Sequence, residues 1–322
     1  MTFAVFARAA IATALLAAAV PAAAQEYPTR PVRMIVGFAA GGGTDTTARP
    51  IAQKLSELFG QQVIVDNRPG AAGNIATDIV AKASPDGYTI LMGTIAALAI
   101  NPSLYDNLPF DPERDLAPVT QAVDATNILS LHPSVPVNSV KELIALAKSK
   151  SLNYGSSGVG ATGHLAGELF NLMAGVKLVH VPYKGGAPAM VDLVAGRVEL
   201  VFATAASAVP QIKGGKIKGI AVTTAKRSAL MPELPTIAEA GLPGYDANNW
   251  YGLMVPANTP RAIIDRLNAG TVKVLNMPEV RTFLFNQGLE AAPSTPEEFG
   301  AYIRSERAKW ARIVKASGAK VE

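Results

Sequence analysis

The chain has 322 residues, of which 49% are hydrophobic and 17% charged, and a formal net charge of +4. This small positive excess is spread along the chain without a lysine- or arginine-rich run, so we do not expect nucleic acid as a partner. The sequence contains no cysteine, which excludes disulfide bonds and thiolate catalysis.

The first residues predict a secretory signal peptide. Arg8 precedes the alanine-rich apolar stretch "AAIATALLAAAV", and Ala22-x-Ala24 is a small-residue cleavage pattern. The apolar stretch is about a dozen residues long, shorter than the roughly 20 that span a membrane. We expect cleavage after Ala24 (residues 1–24 removed) and a periplasmic protein; an uncleaved anchor is the minor alternative.

Further along the chain, short β-branched runs alternate with helix-length segments. Strands are predicted at residues 32–38, 62–67, 88–94, 152–157, 177–183, 198–204, 217–224 and 251–257. Between most of them, apolar residues recur three and four positions apart, which is typical of amphipathic helices. The alternation favours an α/β fold with parallel sheets covered by helices.

Two stretches rich in proline and asparagine, residues 101–119 and 231–250, interrupt this alternation. We interpret the first as leading into a crossover between two lobes and the second as leading into the return crossover. Lobe 1 is then residues 25–124 plus 249–322, and lobe 2 is residues 125–248. A chain that crosses twice makes a two-stranded hinge, which favours closure of the lobes.

The stretch "FAAGGGTD" (residues 38–45) joins the first strand to the first predicted helix. Free backbone N–H groups at a helix N-terminus bind anions, and glycines let a ligand approach them. Thr44 can add a hydroxyl, whereas Asp45 is either an acid or the N-cap. A nucleoside triphosphate is not expected because no "GK[ST]" follows. A tight turn that only requires positive φ is the alternative.

The stretch "NYGSSGVGATGH" (residues 153–164) repeats the order of strand, small-residue loop and helix. Its G-x-G-x-x-G spacing matches a dinucleotide motif, but the next strand ends without the acidic residue that binds ribose, so NAD is not expected. Three hydroxyl side chains can instead surround a second anion: Ser156, Ser157 and Thr162.

Other strands also end in small-residue corners. These corners carry Ala72 and Gly73, then Thr94, and then Tyr183, Lys184 and Gly185. The carboxyl ends of strands are where α/β folds usually bind ligands, so we expect one cleft that these corners line.

Catalysis is the rival interpretation. The three histidines, His132, His164 and His180, lack metal-ligand spacing, and "GSSG" fails the G-x-S-x-G pattern of serine hydrolases. A secreted hydrolase or isomerase would use His164 as a base with Ser156 or Asp45; otherwise His164 starts a helix or donates a hydrogen bond to the ligand. Trp250 either walls the cleft or belongs to the core.

The ordered series of motifs resembles the Bug family, the periplasmic solute receptors of tripartite tricarboxylate transporters. The resemblance rests on "VRMIVGFAAGGGTD", "VDNRPGAAGN", "NYGSSGVGATGH", "HVPYKGGAPAMVDLVAGRVELVF" and "GIAVTTAKRSALMPELPTIAEAGLPGYD", and it covers essentially the whole mature chain. It implies a type II periplasmic-binding-protein fold, with two α/β lobes, a two-crossover hinge and the ligand cleft between them.

The resemblance also implies a function. A small dicarboxylate or aromatic carboxylate would bind in the cleft and be delivered to two membrane permease subunits; a sensor for a membrane kinase would use the same site. We expect no catalysis, no cofactor, no metal and a monomer. One side of the site would be Phe38, Ala40, Gly41, Gly42, Gly43, Thr44 and Thr94, and the other Ser156, Ser157, Gly158, Thr162, His164, Tyr183 and Lys184. Thr204 stands in a segment where the family often has an acidic residue, which disfavours an amino-acid ligand.

Overall fold

The computed structural model describes residues 27–317, and the predicted signal peptide with its cleavage site lies outside them. Two β-sheets, each covered by helices, organise this part of the chain into two lobes. Within residues 27–317, no helix is long and apolar enough to cross a membrane.

The first sheet has the strand order β11-β4-β10-β3-β1-β2. Its strands are β1 (Val32–Val36), β2 (Val63–Asn67), β3 (Thr89–Thr94), β4 (Leu116–Ala125), β10 (Asn249–Pro256) and β11 (Leu289–Ala291). The helices of this lobe are α1 (Gly43–Phe59), α2 (Asn74–Ala81), α3 (Asn101–Leu104), α9 (Arg261–Leu275), α10 (Pro278–Asn286) and α11 (Pro296–Ser317). A π-helical stretch, Ala96–Ile100, leads into α3.

The second sheet has the strand order β7-β6-β8-β5-β9. Its strands are β5 (Asn127–Leu131), β6 (Asn153–Ser156), β7 (Val179–Pro182), β8 (Leu200–Thr204) and β9 (Lys218–Val222). The helices of this lobe are α4 (Val140–Ser149), α5 (Thr162–Ala174), α6 (Gly186–Val194), α7 (Ala205–Lys213) and α8 (Ile237–Ala240).

All eight predicted strands are present, with ends within two residues of the predicted ones. The predicted parallel pairing is present between β1 and both β2 and β3, and between β6 and both β7 and β8. The sheets are mixed, however, because β10 runs antiparallel to both β3 and β4, and β5 runs antiparallel to both β8 and β9. The cause is the hinge itself. The chain leaves the first sheet at Ala125 and enters the second at Asn127, so the first crossover joins β4 directly to β5, and the return crossover leads into β10 at Asn249.

The apolar pattern of β1 shows how the first lobe is built. Val32, Met34 and Val36 pack in one hydrophobic cluster with Leu55 of α1, whereas Ile35 belongs to the cluster on the opposite face. Successive residues of a strand point to opposite faces, so a sheet covered on both sides needs apolar residues at every position. In the run "VRMIV", every residue except Arg33 is apolar, as a sheet covered on both faces requires.

Candidate functional site

The loops that follow β1 and β7 face each other across the space between the lobes. A Cβ built on Gly42 would lie 3.9 Å from the backbone nitrogen of Gly186, and one built on Gly185 would lie 3.1 Å from the Cβ of Ala39. An added methyl group would therefore be in contact with the opposite lobe at Gly42 and crowded by it at Gly185, so the lobes are closed on one another.

A cavity lies between the closed lobes. The space in it that is open to the centre of a water molecule measures about 40 Å³, enough for about three waters. The lining residues are Phe38, Gly42, Gly43, Thr44, Thr94, Ala96, Asn127, Ser157, Ala161, Thr162, Gly163, Gly186, Ala189, Val201, Phe202, Ala203, Thr204, Asn249 and Tyr251. None of these described residues carries a charged side chain, so the cavity is polar but neutral.

Four helices begin at this cavity: α1, α5, α6 and α7. Their N-cap residues are Gly42, Ala161, Gly185 and Thr204, and among these described caps no side chain accepts a hydrogen bond from a backbone N–H of its helix. The first N–H groups of a helix have no partner within the helix and carry the positive end of its dipole. Helix α1 belongs to lobe 1 and the other three to lobe 2, so both walls present such groups to an anion.

The cavity brings together eight of the residues that the sequence predicts as ligand-binding. These are Phe38, Gly42, Gly43, Thr44, Thr94, Ser157, Thr162 and Thr204. Another group, Ala72, Gly158, Tyr183 and Lys184, lines an adjoining cavity of about 380 Å³. Phe38 and Ser157 line both spaces, so they lie between them. The Tyr183 hydroxyl donates a hydrogen bond to Asp192 Oδ2 at 2.8 Å, which turns it away from a ligand.

The structure places Asp45 outside the cavity lining, with its carboxylate occupied by the protein. It accepts hydrogen bonds from the Gly41 backbone at 3.0 Å, from Arg49 Nε at 2.8 Å and from Asn67 Nδ2 at 3.0 Å. Burial alone would raise the pKa of Asp45, but these hydrogen bonds and the charge of Arg49 outweigh it and hold the pKa below its usual value. Asp45 therefore shapes the glycine loop.

Ser156 is paired with His180, not with His164. Its Oγ lies 2.6 Å from His180 Nε2, while His164 Nδ1 accepts the backbone N–H of Gly160 at 3.1 Å. The two imidazole rings stack with centroids 4.1 Å apart. Burial lowers the pKa of His164 to about 4; burial and the neighbouring His164 lower that of His180 to about 3. Both rings are thus neutral at pH 7, and neither these histidines nor Ser156 line the cavity.

Trp250 lies in the core and not in a cleft wall. Its side chain is fully buried and packs edge-to-face on Phe299 with ring centroids 5.4 Å apart. The remaining predicted residues border the site without lining it: Ala40 and Gly41 are exposed on the loop, and Gly73 lies behind Phe38.

The sequence analysis missed the residues at the base of the cavity. Asn127 begins β5 and Asn249 begins β10, so each stands on one of the two crossovers. Asn249 Nδ2 donates to Tyr251 Oη at 3.1 Å and reaches Asn127 Oδ1 at 3.5 Å. Burial raises the pKa of Tyr251 to about 12, so its hydroxyl stays protonated. Asn127 and Asn249 are 122 positions apart, and no local motif marks them as neighbours.

Comparison with known proteins shows what this architecture is similar to. Residues 47–319 match the model of the "Tripartite tricarboxylate transporter family receptor". Protein BugT of Bordetella pertussis is 36% identical over 315 residues, covering 97% of this chain and 96% of that protein.

Two solved structures superpose over most of the chain. Rpa4515 of R. palustris with adipate has a TM-score of 0.89 at 41% identity, covering 92% of this chain and 100% of that one. MatC from Rhodopseudomonas palustris with bound malate has a TM-score of 0.86 at 31% identity, covering 89% and 100% respectively.

Proposed function

Since the chain belongs to the tripartite tricarboxylate transporter receptor family, whose members are periplasmic solute-binding proteins, we propose that it captures a small carboxylate in the cavity between its lobes. The expected ligand is a dicarboxylate or an aromatic carboxylate. The two solved relatives hold adipate and malate, which are both dicarboxylates.

One observation carries the proposal: a neutral cavity at which four helices begin without a side-chain cap. Micromolar to nanomolar binding needs about 8 to 12 kcal/mol in total. A hydrogen bond to a charged group contributes about 1.5 to 3 kcal/mol, so a few N–H and hydroxyl donors on a carboxylate are enough without an arginine.

We propose that closure of the lobes completes the site. The moving bodies are the predicted lobes, residues 25–124 plus 249–322 and residues 125–248. A ligand held by donors of both lobes binds the closed form better than the open form, and that difference in affinity drives closure. Loops of the two lobes lie against each other beside the cavity, so entry of a ligand requires the lobes to part.

The proposed role follows from family membership. After cleavage of the signal peptide, the periplasmic receptor would deliver its ligand to two membrane permease subunits. A catalytic role would need an activated nucleophile at the cavity. The Ser156–His180 pair is the nearest approach to one, and Ser156 is only 1% exposed and does not line the cavity. We therefore propose a receptor and not an enzyme.

The test is a screen of the purified protein against aliphatic dicarboxylates, citrate, nicotinate and phthalate isomers, followed by both thermal shift and product chromatography. The proposal expects at least one acid to raise the melting temperature with no product formed. Turnover of an acid would instead favour a hydrolase or isomerase. A complete lack of stabilisation across the screen would count against carboxylate capture.

A further inference from the structure

Three buried polar atoms at the base of the cavity have no hydrogen-bond partner within the described protein: Thr94 Oγ1, Asn127 Nδ2 and Asn249 Oδ1. Their residues are 5%, 0% and 3% exposed, and all three line the cavity. Burying a polar group without a hydrogen-bond partner is unfavourable. Three such groups at one cavity therefore indicate a bound polar group that completes them.

The chemistry of the three atoms restricts that group. Asn127 Nδ2 can only donate a hydrogen bond, Asn249 Oδ1 can only accept one, and the Thr94 hydroxyl can do either. A carboxylate cannot satisfy Asn249 Oδ1, because it has no hydrogen to donate and its charge repels the amide oxygen. An ammonium group cannot accept a hydrogen bond from Asn127 Nδ2, and the lining offers it no carboxylate as a counter-charge.

The orientation of the two amides does not change this conclusion. Asn249 Nδ2 is directed to Tyr251 Oη and Asn127 Oδ1, so the two asparagines are coupled. Turning both amides over exchanges the free donor and the free acceptor but leaves one of each. Turning only one would place two amide oxygens, or two NH₂ groups, against each other at about the 3.5 Å that now separates Asn249 Nδ2 from Asn127 Oδ1.

We propose that the ligand is a hydroxy-carboxylic acid whose hydroxyl binds at this base, donating to Asn249 and accepting from Asn127. The inference rests on the proposed function, because the carboxylates of that acid would be held by the helix N-termini. A hydroxyl is the smallest neutral substituent of a ligand that both donates and accepts. Asn127 and Asn249 begin the strands at the two crossovers, so recognition of this hydroxyl is coupled to the hinge.

The test compares pairs of acids that differ by one hydroxyl: succinate with each enantiomer of malate, and glutarate with each enantiomer of 2-hydroxyglutarate, with adipate as a longer plain acid. Binding to the full mature chain is measured by titration calorimetry. The wild type is expected to bind a hydroxylated acid at least tenfold more tightly than its plain partner. In Asn249→Ala this ratio should fall close to one, whereas the matched control Asn248→Ala should keep it, since Asn248 does not line the cavity.

Equal or tighter binding of the plain acids by the wild type would overturn the inference and leave carboxylate capture intact. A ratio that persists in a folded Asn249→Ala variant would also overturn it, because the hydroxyl would then be recognised elsewhere. Should Asn249→Ala fail to fold, Asn127→Ala provides the same comparison of ratios, because it removes the donor to the ligand hydroxyl. If no acid binds the wild type, the proposed function fails and this inference fails with it.

Discussion

Gly43 offers the sharpest test of the closed cavity, because an added methyl group at this position would lie between the lobes. A Cβ built on Gly43 would lie 2.8 Å from Tyr251 Oη and 3.0 Å from Thr204 Oγ1. Tyr251 belongs to lobe 1 and Thr204 to lobe 2. Gly43 is the first residue of α1 and does not have positive φ, so Gly43→Ala adds volume without backbone strain.

The expected magnitude follows from that volume. A methyl group is about the size of one water molecule, and the cavity holds only about three. Overpacking typically destabilises a packed state by about 1 to 3 kcal/mol. Here it destabilises only the closed form, because parting of the lobes relieves it. We expect Gly43→Ala to weaken the binding of a carboxylate by tenfold to a hundredfold, which is about 1.4 to 2.8 kcal/mol. The ligand-free protein should melt no lower than the wild type, because alanine is a better helix former than glycine.

Gly300→Ala is the matched control. Gly300 lies within α11 and outside the cavity lining, and a Cβ built on it would lie at ordinary contact distances, 3.4 Å from Pro118 Cγ and 3.6 Å from Arg304 Nη1. Calorimetry with the acid that stabilises the wild type most should therefore give an affinity within about threefold of wild type for this variant. If Gly43→Ala binds as tightly as Gly300→Ala, the closed cavity is not the binding site.

Three further predictions concern stability. Acid should destabilise the protein, because the pKa of His180 falls from 6.5 to about 3 on folding. Below pH 6.5 the unfolded chain binds a proton that the folded protein does not, so the free energy of unfolding falls, by about 2 kcal/mol at pH 5. His180→Asn should flatten the fall in urea midpoint between pH 7 and 5, and an unchanged slope would contradict this. Asp45→Asn should lower the free energy of unfolding by about 2 kcal/mol in urea titration, since the carboxylate accepts buried hydrogen bonds; wild-type stability would refute its role in the loop. Gly252→Ala should lower the free energy of unfolding by about 1 to 3 kcal/mol, because its Cβ would overlap the Phe299 ring. An unchanged urea midpoint would show that Phe299 can move aside without loss of stability.

The sequence predicted the parts of the fold that repeat locally. Each unit of strand, turn and helix has its own apolar period and its own small-residue turn, so all eight predicted strands are present. The crossover strands β4 and β5 could not be recognised in this way. Strand β4 contains Pro118, Gln121 and Asp124, and β5 follows it after a single residue, with no turn or helix between them to mark a second strand. Their stability comes from neighbours distant in sequence, which no local pattern reveals.

The same difference between local signals and contacts distant in sequence explains which residues of the candidate site were predicted. Phe38 to Thr44 and Ser157 to Thr162 were predicted because a helix N-terminus after a strand is a local feature. The rival catalytic interpretation paired His164 with Ser156, eight positions away, or with Asp45, but the strand register brings Ser156 opposite Pro182 on β7, two residues past His180. The asparagine pair at the base was missed because its two members meet only when both crossovers are in place.

A neutral cavity has a consequence for a protein that must close and reopen. On the proposed function, a lobe with an arginine could hold a carboxylate strongly by itself, and the affinity would then depend little on closure. Here the donors are divided between α1 on one side and α5, α6 and α7 on the other. A ligand on one lobe satisfies only part of its hydrogen bonds, so most of its affinity exists only in the closed form. Shifting an equilibrium from 1:99 to 99:1 takes about 5.5 kcal/mol of differential binding, which two to four charged hydrogen bonds gained on closure can supply.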